Sequence, residues 1–250
     1  MTTHCFDLTP VHSSWQPIVS EGLAKISSAY LHGLSTSTDW LPGPKKIFNA
    51  FSLPITQTNY ILFGESPYPR QQSANGYAFW DASVTNLWSN AGLSKEVNRA
   101  TSLRNLLKML MVAEGLLEGT ATHQQAIANV DKKMMVQTND QLFTHMQTLG
   151  FLLLNTTPVL QPRSPQQDAN AWEPFTQTIL SRLLEIRPDI KLLLFGRIAQ
   201  NMALPTLPET VQKIQSEHPY NLSFIQNPAI LHFFKPLHLL YPNKKDKVNE

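Results

Sequence analysis

Four short apolar runs constrain this chain most: residues 59–63 (NYILF), 151–154 (FLLL), 190–195 (IKLLLF) and 222–225 (LSFI). Each is bounded by turn-forming residues. Unbroken apolar runs of this length read as strands buried on both faces, the pattern of parallel sheets. Between them, Leu103, Leu106, Leu107, Leu110 and Leu117 follow helical spacing, as do Trp172, Phe175, Ile179 and Leu183. Segments 20–31 and 44–51 add helices before the first run, and segment 208–216 (PETVQKIQS) also reads as a helix. Strands alternating with helices predict an α/β fold. The expectation is a three-layer α/β/α domain around a short, mainly parallel sheet of about four strands. One domain is expected over residues 1–250, with N-terminal helices in 15–58 and a polar tail, 243–250 (NKKDKVNE).

Composition narrows the function. Apolar residues make up 42% of the 250, enough for a sizeable core. The formal net charge of +2 is too small to argue for nucleic acid by itself. A single cysteine, Cys5, excludes an internal disulfide framework and a multi-cysteine zinc site. The eight histidines show no metal-ligand spacing, so no metal is expected. Gly64 and Gly196 sit in no phosphate-cradling pattern, so no nucleotide cofactor is expected. No apolar stretch is long enough to span a membrane, and the first residues lack the features of a signal peptide. An intracellular protein with no membrane partner is the expectation, cytoplasmic and nucleoid-associated if bacterial.

Ligands of open parallel sheets sit beyond the carboxyl ends of the strands. The runs are followed by Gly64-Glu65-Ser66-Pro67-Tyr68-Pro69, Asn155-Thr156-Thr157-Pro158, Gly196-Arg197 and Asn227-Pro228-Ala229-Ile230-Leu231. Three of these are polar loops containing proline, and together they mark one sheet edge as the candidate site.

Several motifs share a family likeness. Gly64-Glu65-Ser66-Pro67-Tyr68 is similar to Gly-Gln-Asp-Pro-Tyr, and Gly76-Tyr77-Ala78-Phe79 to Gly-Leu-Ala-Phe. Ser102-Leu103-Arg104-Asn105 looks like a phosphate-gripping Pro-Pro-Ser-Leu loop running into its helix. Gly150-Phe151-Leu152-Leu153-Leu154-Asn155 is similar to Gly-Val-Leu-Leu-Leu-Asn, and Trp172-Glu173-Pro174-Phe175-Thr176 matches Trp-Glu-x-Phe-Thr. Leu194-Phe195-Gly196 and Ala199-Gln200 match Leu-Trp-Gly and Ala-Gln. In this order, from about residue 15 to residue 240, these motifs resemble the uracil-DNA glycosylase superfamily.

The resemblance implies an enzyme of DNA base-excision repair that flips uracil, or a related damaged base, into a pocket. It hydrolyses the N-glycosidic bond in single- or double-stranded DNA. Phe79 stacks on the base, the Asn155 amide reads its edge, and Tyr68 excludes a 5-methyl group. Ser102 holds a flanking phosphate. A monomer is expected.

The sequence departs from the family at both chemical positions. Ser66 replaces the aspartate that stabilises the sugar cation and orients water, and Glu65 is the candidate substitute. Losing a positioned base costs about 10²–10⁴-fold, so weak or altered activity is expected. The alternative is an inactive homologue that binds DNA or a protein partner. For the family's histidine loop, two stretches compete. His218-Pro219-Tyr220-Asn221-Leu222-Ser223 keeps the histidine but follows the segment read as a helix. Asn227-Pro228-Ala229-Ile230-Leu231 follows an apolar run and is preferred on that ground. That choice makes Asn227 catalytic, with Ala229 and Leu231 on the DNA and Leu231 the wedge filling the gap left by the base. Pro69 stands where a histidine usually follows the tyrosine, and 165–170 (PQQDAN) lacks the usual histidine, so weaker phosphate binding is expected.

Overall fold

The computed structural model describes residues 6–161, 165–203, 207 and 209–242. Cys5, Pro208 and the polar tail 243–250 lie outside the described residues. In chain order the helices are α1 (Gln16–Leu23), α2 (Ser28–Thr36), α3 (Lys95–Arg99), α4 (Thr101–Ala113), α5 (Gln124–Ala128), α6 (Asn139–Thr148), α7 (Pro165–Ile186), α8 (Gly196–Ala203) and α9 (Pro228–Phe234). The strands are β1 (Tyr60–Gly64), β2 (Trp88–Ser89), β3 (Gly92–Leu93), β4 (Phe151–Asn155), β5 (Lys191–Phe195) and β6 (Gln212–Ser216). The chain divides into two compact units, one of residues 1–81 and 150–213, the other of 82–149 and 214–250.

The first unit carries β1, β4 and β5 of the main sheet, whose strand order is β4-β1-β5-β6. β1 is central and pairs in parallel with β4, from Tyr60 opposite Phe151 to Gly64 opposite Asn155. On its other side β1 pairs in parallel with β5, from Tyr60 opposite Lys191 to Phe63 opposite Leu194. Ile61, Phe63, Leu152, Leu154, Leu192 and Leu194 pack on one face with α1 and α7, while Leu62, Leu153 and Leu193 are buried as well. Burial on both faces explains why the strands read as continuous apolar runs rather than alternating ones. Each such side chain contributes about 1.5–3 kcal/mol by leaving water.

An aromatic cluster fills this side. Phe48 stacks on Phe175, with ring centres 5.8 Å apart, and Trp172 meets Phe175 edge-on at 5.1 Å. Gly22 lets α1 approach α7, because a Cβ there would lie 2.7 Å from the Phe175 ring. The start of α7 is fixed differently. Asp168 in its first turn is fully buried and accepts from the Tyr30 hydroxyl (2.6 Å), the Gln161 backbone N–H (2.6 Å) and Gln161 Nε2 (2.7 Å). Trp172 Nε1 donates to the Tyr30 oxygen at 3.1 Å. Burial, then the Asp168 carboxylate, pushes the Tyr30 phenol up, so it stays a neutral donor.

The second unit is built around α4, whose Leu103, Asn105, Leu106, Leu107, Met109, Leu110 and Met111 are buried. α6 opens with a capping box in which Thr138 and Gln141 satisfy each other's backbone N–H groups. The C-terminal segment is tied in by Val136 N–H to Leu240 O (3.0 Å) and by His238 Nδ1 to the buried Glu114 carboxylate (2.9 Å).

Five expectations need correction. Residues 222–225 are no strand but part of a 3₁₀ turn, Leu222–Gln226, which buries Phe224 and Ile225. The fourth strand is β6, inside the segment read as a helix. Its Gln212 and Gln215 are exposed and only Ser216 is buried, so it has no apolar run to signal it. Segment 44–51 reaches only a 3₁₀ turn at Asn49–Ser52, and segment 20–31 is split between α1 and α2. α4 stops at Ala113, short of Leu117.

Candidate active site

The end of β1 and the end of β4 lie side by side, Gly64 opposite Asn155. The ladder continues past both strands. Thr156 N–H donates to Gly64 O (2.9 Å), Thr157 N–H to Glu65 O (3.0 Å) and Thr156 Oγ1 to Glu65 O (2.8 Å). The Glu65 main chain is therefore fixed while its side chain is exposed. Ser66 is half-buried. Glu65 and Ser66 line a cavity of about 550 Å³ whose other walls include Thr156, Thr157, Asn170 and Glu173.

Asn155 is 4% exposed and, among the described residues, its side chain makes no hydrogen bond. The fold among the described residues therefore leaves this amide's donors and acceptor unused. Gly64 makes room for it. A Cβ at Gly64 would lie 2.5 Å from Asn155 Oδ1 and 2.8 Å from the Ala78 Cβ.

Tyr68 and Phe79 are joined to each other in the loop after β1, and neither they nor Asn155 line the cavity beside Glu65 and Ser66. Phe79 has φ 62°, in the left-handed region that is uncommon outside glycine. Its carbonyl accepts from the Tyr68 hydroxyl at 3.0 Å, and its ring meets Phe195 edge-on with centres 6.0 Å apart. Burial and the nearby Asp81 charge push the Tyr68 phenol up, so the hydroxyl stays protonated. Asp81, 1% exposed, pairs with Arg70 at 3.0 Å and closes the loop that carries both rings. Within that loop Gly76 has φ 89°, and a Cβ there would overlap the Lys46 carbonyl. Glu65, Ser66, Tyr68, Phe79 and Asn155 all belong to the first unit.

Ser102, Asn227, Ala229 and Leu231 belong to the second unit. Ser102 is half-buried in the first turn of α4, where no side chain caps the free N–H groups. Asn227 caps α9, its Oδ1 accepting from Ala229 N–H (3.1 Å) and Ile230 N–H (3.3 Å). Its Nδ2 donates to Glu217 Oε2 at 2.8 Å. Ala229 is exposed on α9 and Leu231 half-buried.

The stretch directly after β6 is Glu217 to Ser223, so the ground for preferring Asn227, a strand before it, passes to His218. The His218 Nδ1 accepts the Tyr220 N–H at 3.1 Å, which leaves the ring proton on Nε2. Burial holds the imidazole below its ordinary value, so the neutral donor form dominates near pH 7. Burial opposes ionisation of Glu217, but hydrogen bonds from Ser223, its own backbone and Asn227 outweigh it and hold the carboxyl below its usual range. Tyr220 and Leu222 stand out of this loop at 67% and 70% exposure. Sequence reading passed over Leu222 and Asn105 as working residues. The motif around His218 was the available signal, and the misread strand hid it.

Among the described residues, no three His, Cys, Asp or Glu side chains gather as a metal site, and no helix is long and apolar enough to cross a membrane.

No family model matches the chain. It is 29% identical over 215 residues to a uracil-DNA glycosylase of Amoebophilus asiaticus, covering 83% of this chain and 84% of that one. It is 23% identical over 252 residues to a uracil-DNA glycosylase of Campylobacter lari, covering 98% and 96%. The wild-type UNG crystal structure from Nitratifractor salsuginis matches with a TM-score of 0.87 at 36% identity, over 94% of each chain. The mimivirus uracil-DNA glycosylase structure matches with a TM-score of 0.60 at 17% identity, over 86% of this chain and 72% of that one, a likeness of fold alone.

Proposed function

The chain belongs to the uracil-DNA glycosylase superfamily, and from that premise we propose that it excises uracil, or a closely related damaged base, from DNA. The reading is carried by Asn155, a 96%-buried amide at a strand end with no protein partner among the described residues. Such an amide offers N–H donors and a carbonyl acceptor side by side, complementary to the acceptor and donor on the edge of a flipped uracil. Phe79 stacks on the base and Tyr68 bars a 5-methyl group.

Bond cleavage makes the sugar cation-like and sends negative charge onto the leaving uracil. Water adds to the sugar carbon as the N-glycosidic bond breaks, the uracil leaves as the anion with the bonding pair, and the proton the water loses passes to the Glu65 carboxylate. The neutral His218 donates its Nε2–H to the uracil oxygen where charge grows. Asn227, already engaged as cap and clasp, acts through this loop instead. Glu65 orients the water beside Ser66. Leu222, the exposed apolar residue of the loop, fills the gap in the stack, and the first turn of α4 with Ser102 takes a flanking phosphate. The protein works as a monomer on the genome, in the cytoplasm.

Ser66 in place of an aspartate favours a second reading, a homologue that binds DNA or a protein without cleaving. A single-turnover assay separates the two. Excess protein meets a single-stranded uracil oligonucleotide, followed by alkaline cleavage, with Asn155→Ala as control. Strand cleavage that vanishes in the control is the expected result. Intact oligonucleotide after hours with folded protein leaves binding as the activity.

A further inference from the structure

Three residues beyond Ser102 on α4, Asn105 is 0% exposed in an otherwise apolar helix face. Its Nδ2 donates to the Pro219 carbonyl at 2.7 Å, with the Tyr220 and Asn221 carbonyls at 3.4 and 3.5 Å. Its Oδ1 is buried without a partner. As a stabilising device this is poor, because a buried acceptor left empty forfeits much of what the other hydrogen bond contributes. What the residue does achieve is to point one amino group at three successive carbonyls of the exposed loop.

That loop is held at two places. Its base is clasped by Glu217, which accepts from Asn227 Nδ2 and is hydrogen-bonded by Ser223. Its middle hangs on Asn105, directly between His218 and the exposed Tyr220 and Leu222. We propose that Asn105 is a positioning residue that sets the height of the 218–223 loop against α4, so that phosphate capture at the first turn of α4 and insertion of Leu222 into the DNA stack occur together. The inference rests on the reading of this loop given above. Asn105 touches no DNA and acts only through the Pro219 carbonyl.

The consequence is selective. Base flipping from a duplex needs the wedge, whereas a single strand has no stack partner to displace. Asn105→Ala therefore lowers kcat/KM on duplex uracil about tenfold, the worth of one buried hydrogen bond, with a smaller change on single-stranded uracil. Asn105→Asp supplies a second readout. Burial beside carbonyl oxygens raises a carboxyl pKa, and only the protonated acid can donate to Pro219. Its duplex to single-strand ratio is therefore near that of the unmodified protein at low pH and falls as pH rises. The ratio cancels the titration of His218, which both substrates share.

The test measures excision of both substrates by the full chain and by Asn105→Ala, Asn105→Asp and Asn105→Ser, the last keeping a donor if the alanine form fails to fold. Emission from 2-aminopurine placed beside the uracil is read in parallel, since it reports opening of the stack without bond cleavage. A lowered duplex to single-strand ratio with a pH limb only in Asn105→Asp is expected. Equal losses on both substrates, or an unchanged ratio in all variants, overturn the positioning role while leaving the glycosylase reading intact. Stack opening without cleavage by the unmodified protein removes the glycosylase reading, and the emission ratio then decides the role of Asn105. Neither cleavage nor stack opening by the unmodified protein overturns both.

Discussion

The Tyr68 hydroxyl donates to the carbonyl of Phe79 at 3.0 Å, and Phe79 is held there at φ 62°. On the proposed reading, the tyrosine that walls the base pocket thus also fixes the backbone of the ring that stacks on the base. Left-handed backbone at a non-glycine residue costs about 1–3 kcal/mol and persists only when its surroundings enforce it.

Replacing Tyr68 by Phe keeps the ring and removes the bond. Stability falls by about 0.5–1.5 kcal/mol in denaturant titration. Inhibition by free uracil weakens as Phe79 relaxes, while thymine stays refused because the ring still blocks the methyl group. Unchanged uracil inhibition would show that the bond does not hold the stacking ring.

Gly64→Ala puts a methyl group against Asn155 Oδ1 and Ala78, both closer than a Cβ tolerates. Steric overpacking of this kind costs about 1–3 kcal/mol. The side chain that yields is the unpartnered Asn155, so excision drops further than stability does. Thermal melting and single-turnover rates measured together check this, and a stable, fully active variant refutes it.

The pH profile follows from His218, whose imidazole is held below its ordinary value by burial. On the proposed mechanism, excision needs the neutral ring. As pH falls, an ordinary histidine charges near 6.5, but here the rate stays level through that point and drops only at lower pH. Between the two values the unfolded chain binds more protons than the folded one, so stability also falls as pH drops through that window. An acid limb at 6.5 or above in kcat/KM contradicts the assignment.

Leu222 and Leu231 are distinguishable by one comparison. Leu222→Ala removes an exposed side chain and leaves melting unchanged, yet lowers excision from duplex more than from single strands. Leu231→Ala, half-buried on α9, lowers stability and spares the duplex preference. The reverse pattern returns the wedge to Leu231.

Asp168→Asn tests the anchor of α7. The amide keeps one acceptor but turns an N–H toward a neighbouring donor, since Tyr30 and Gln161 all donate to this carboxylate. A loss of about 1–3 kcal/mol in stability is expected. Because Asn170 and Glu173 on the same helix wall the cavity beside Ser66, the excision rate falls too.

Sequence made the centre of the sheet legible and hid its edge. β1, β4 and β5 are buried on nearly every residue, so apolar run length reveals them. β6 has Gln212 and Gln215 in water and carries no such run, and its polar spacing passes for a helix. Residues 222–225 err the other way. Phe224 and Ile225 are apolar because a 3₁₀ turn buries them, not because they pair in a sheet. That exchange moved the loop after the last strand by nine residues, from 218 to 227. The residues at the ends of β1 and β4 were legible because their motifs are local. Asn105 and Glu217 were not, because their roles depend on partners distant in sequence or on a loop whose start was misplaced.

The loop at Glu65 and Ser66 is shaped by main-chain atoms, with Thr156 and Thr157 bonding to the Gly64 and Glu65 carbonyls. Among the described residues neither side chain at 65 or 66 makes a hydrogen bond in the fold. Their identities are therefore free of the folding constraint that binds Gly64. If this loop handles water as proposed, a lineage can exchange that group here in single steps without passing through an unfolded ancestor, and a library randomised at these two positions samples chemistry rather than foldability.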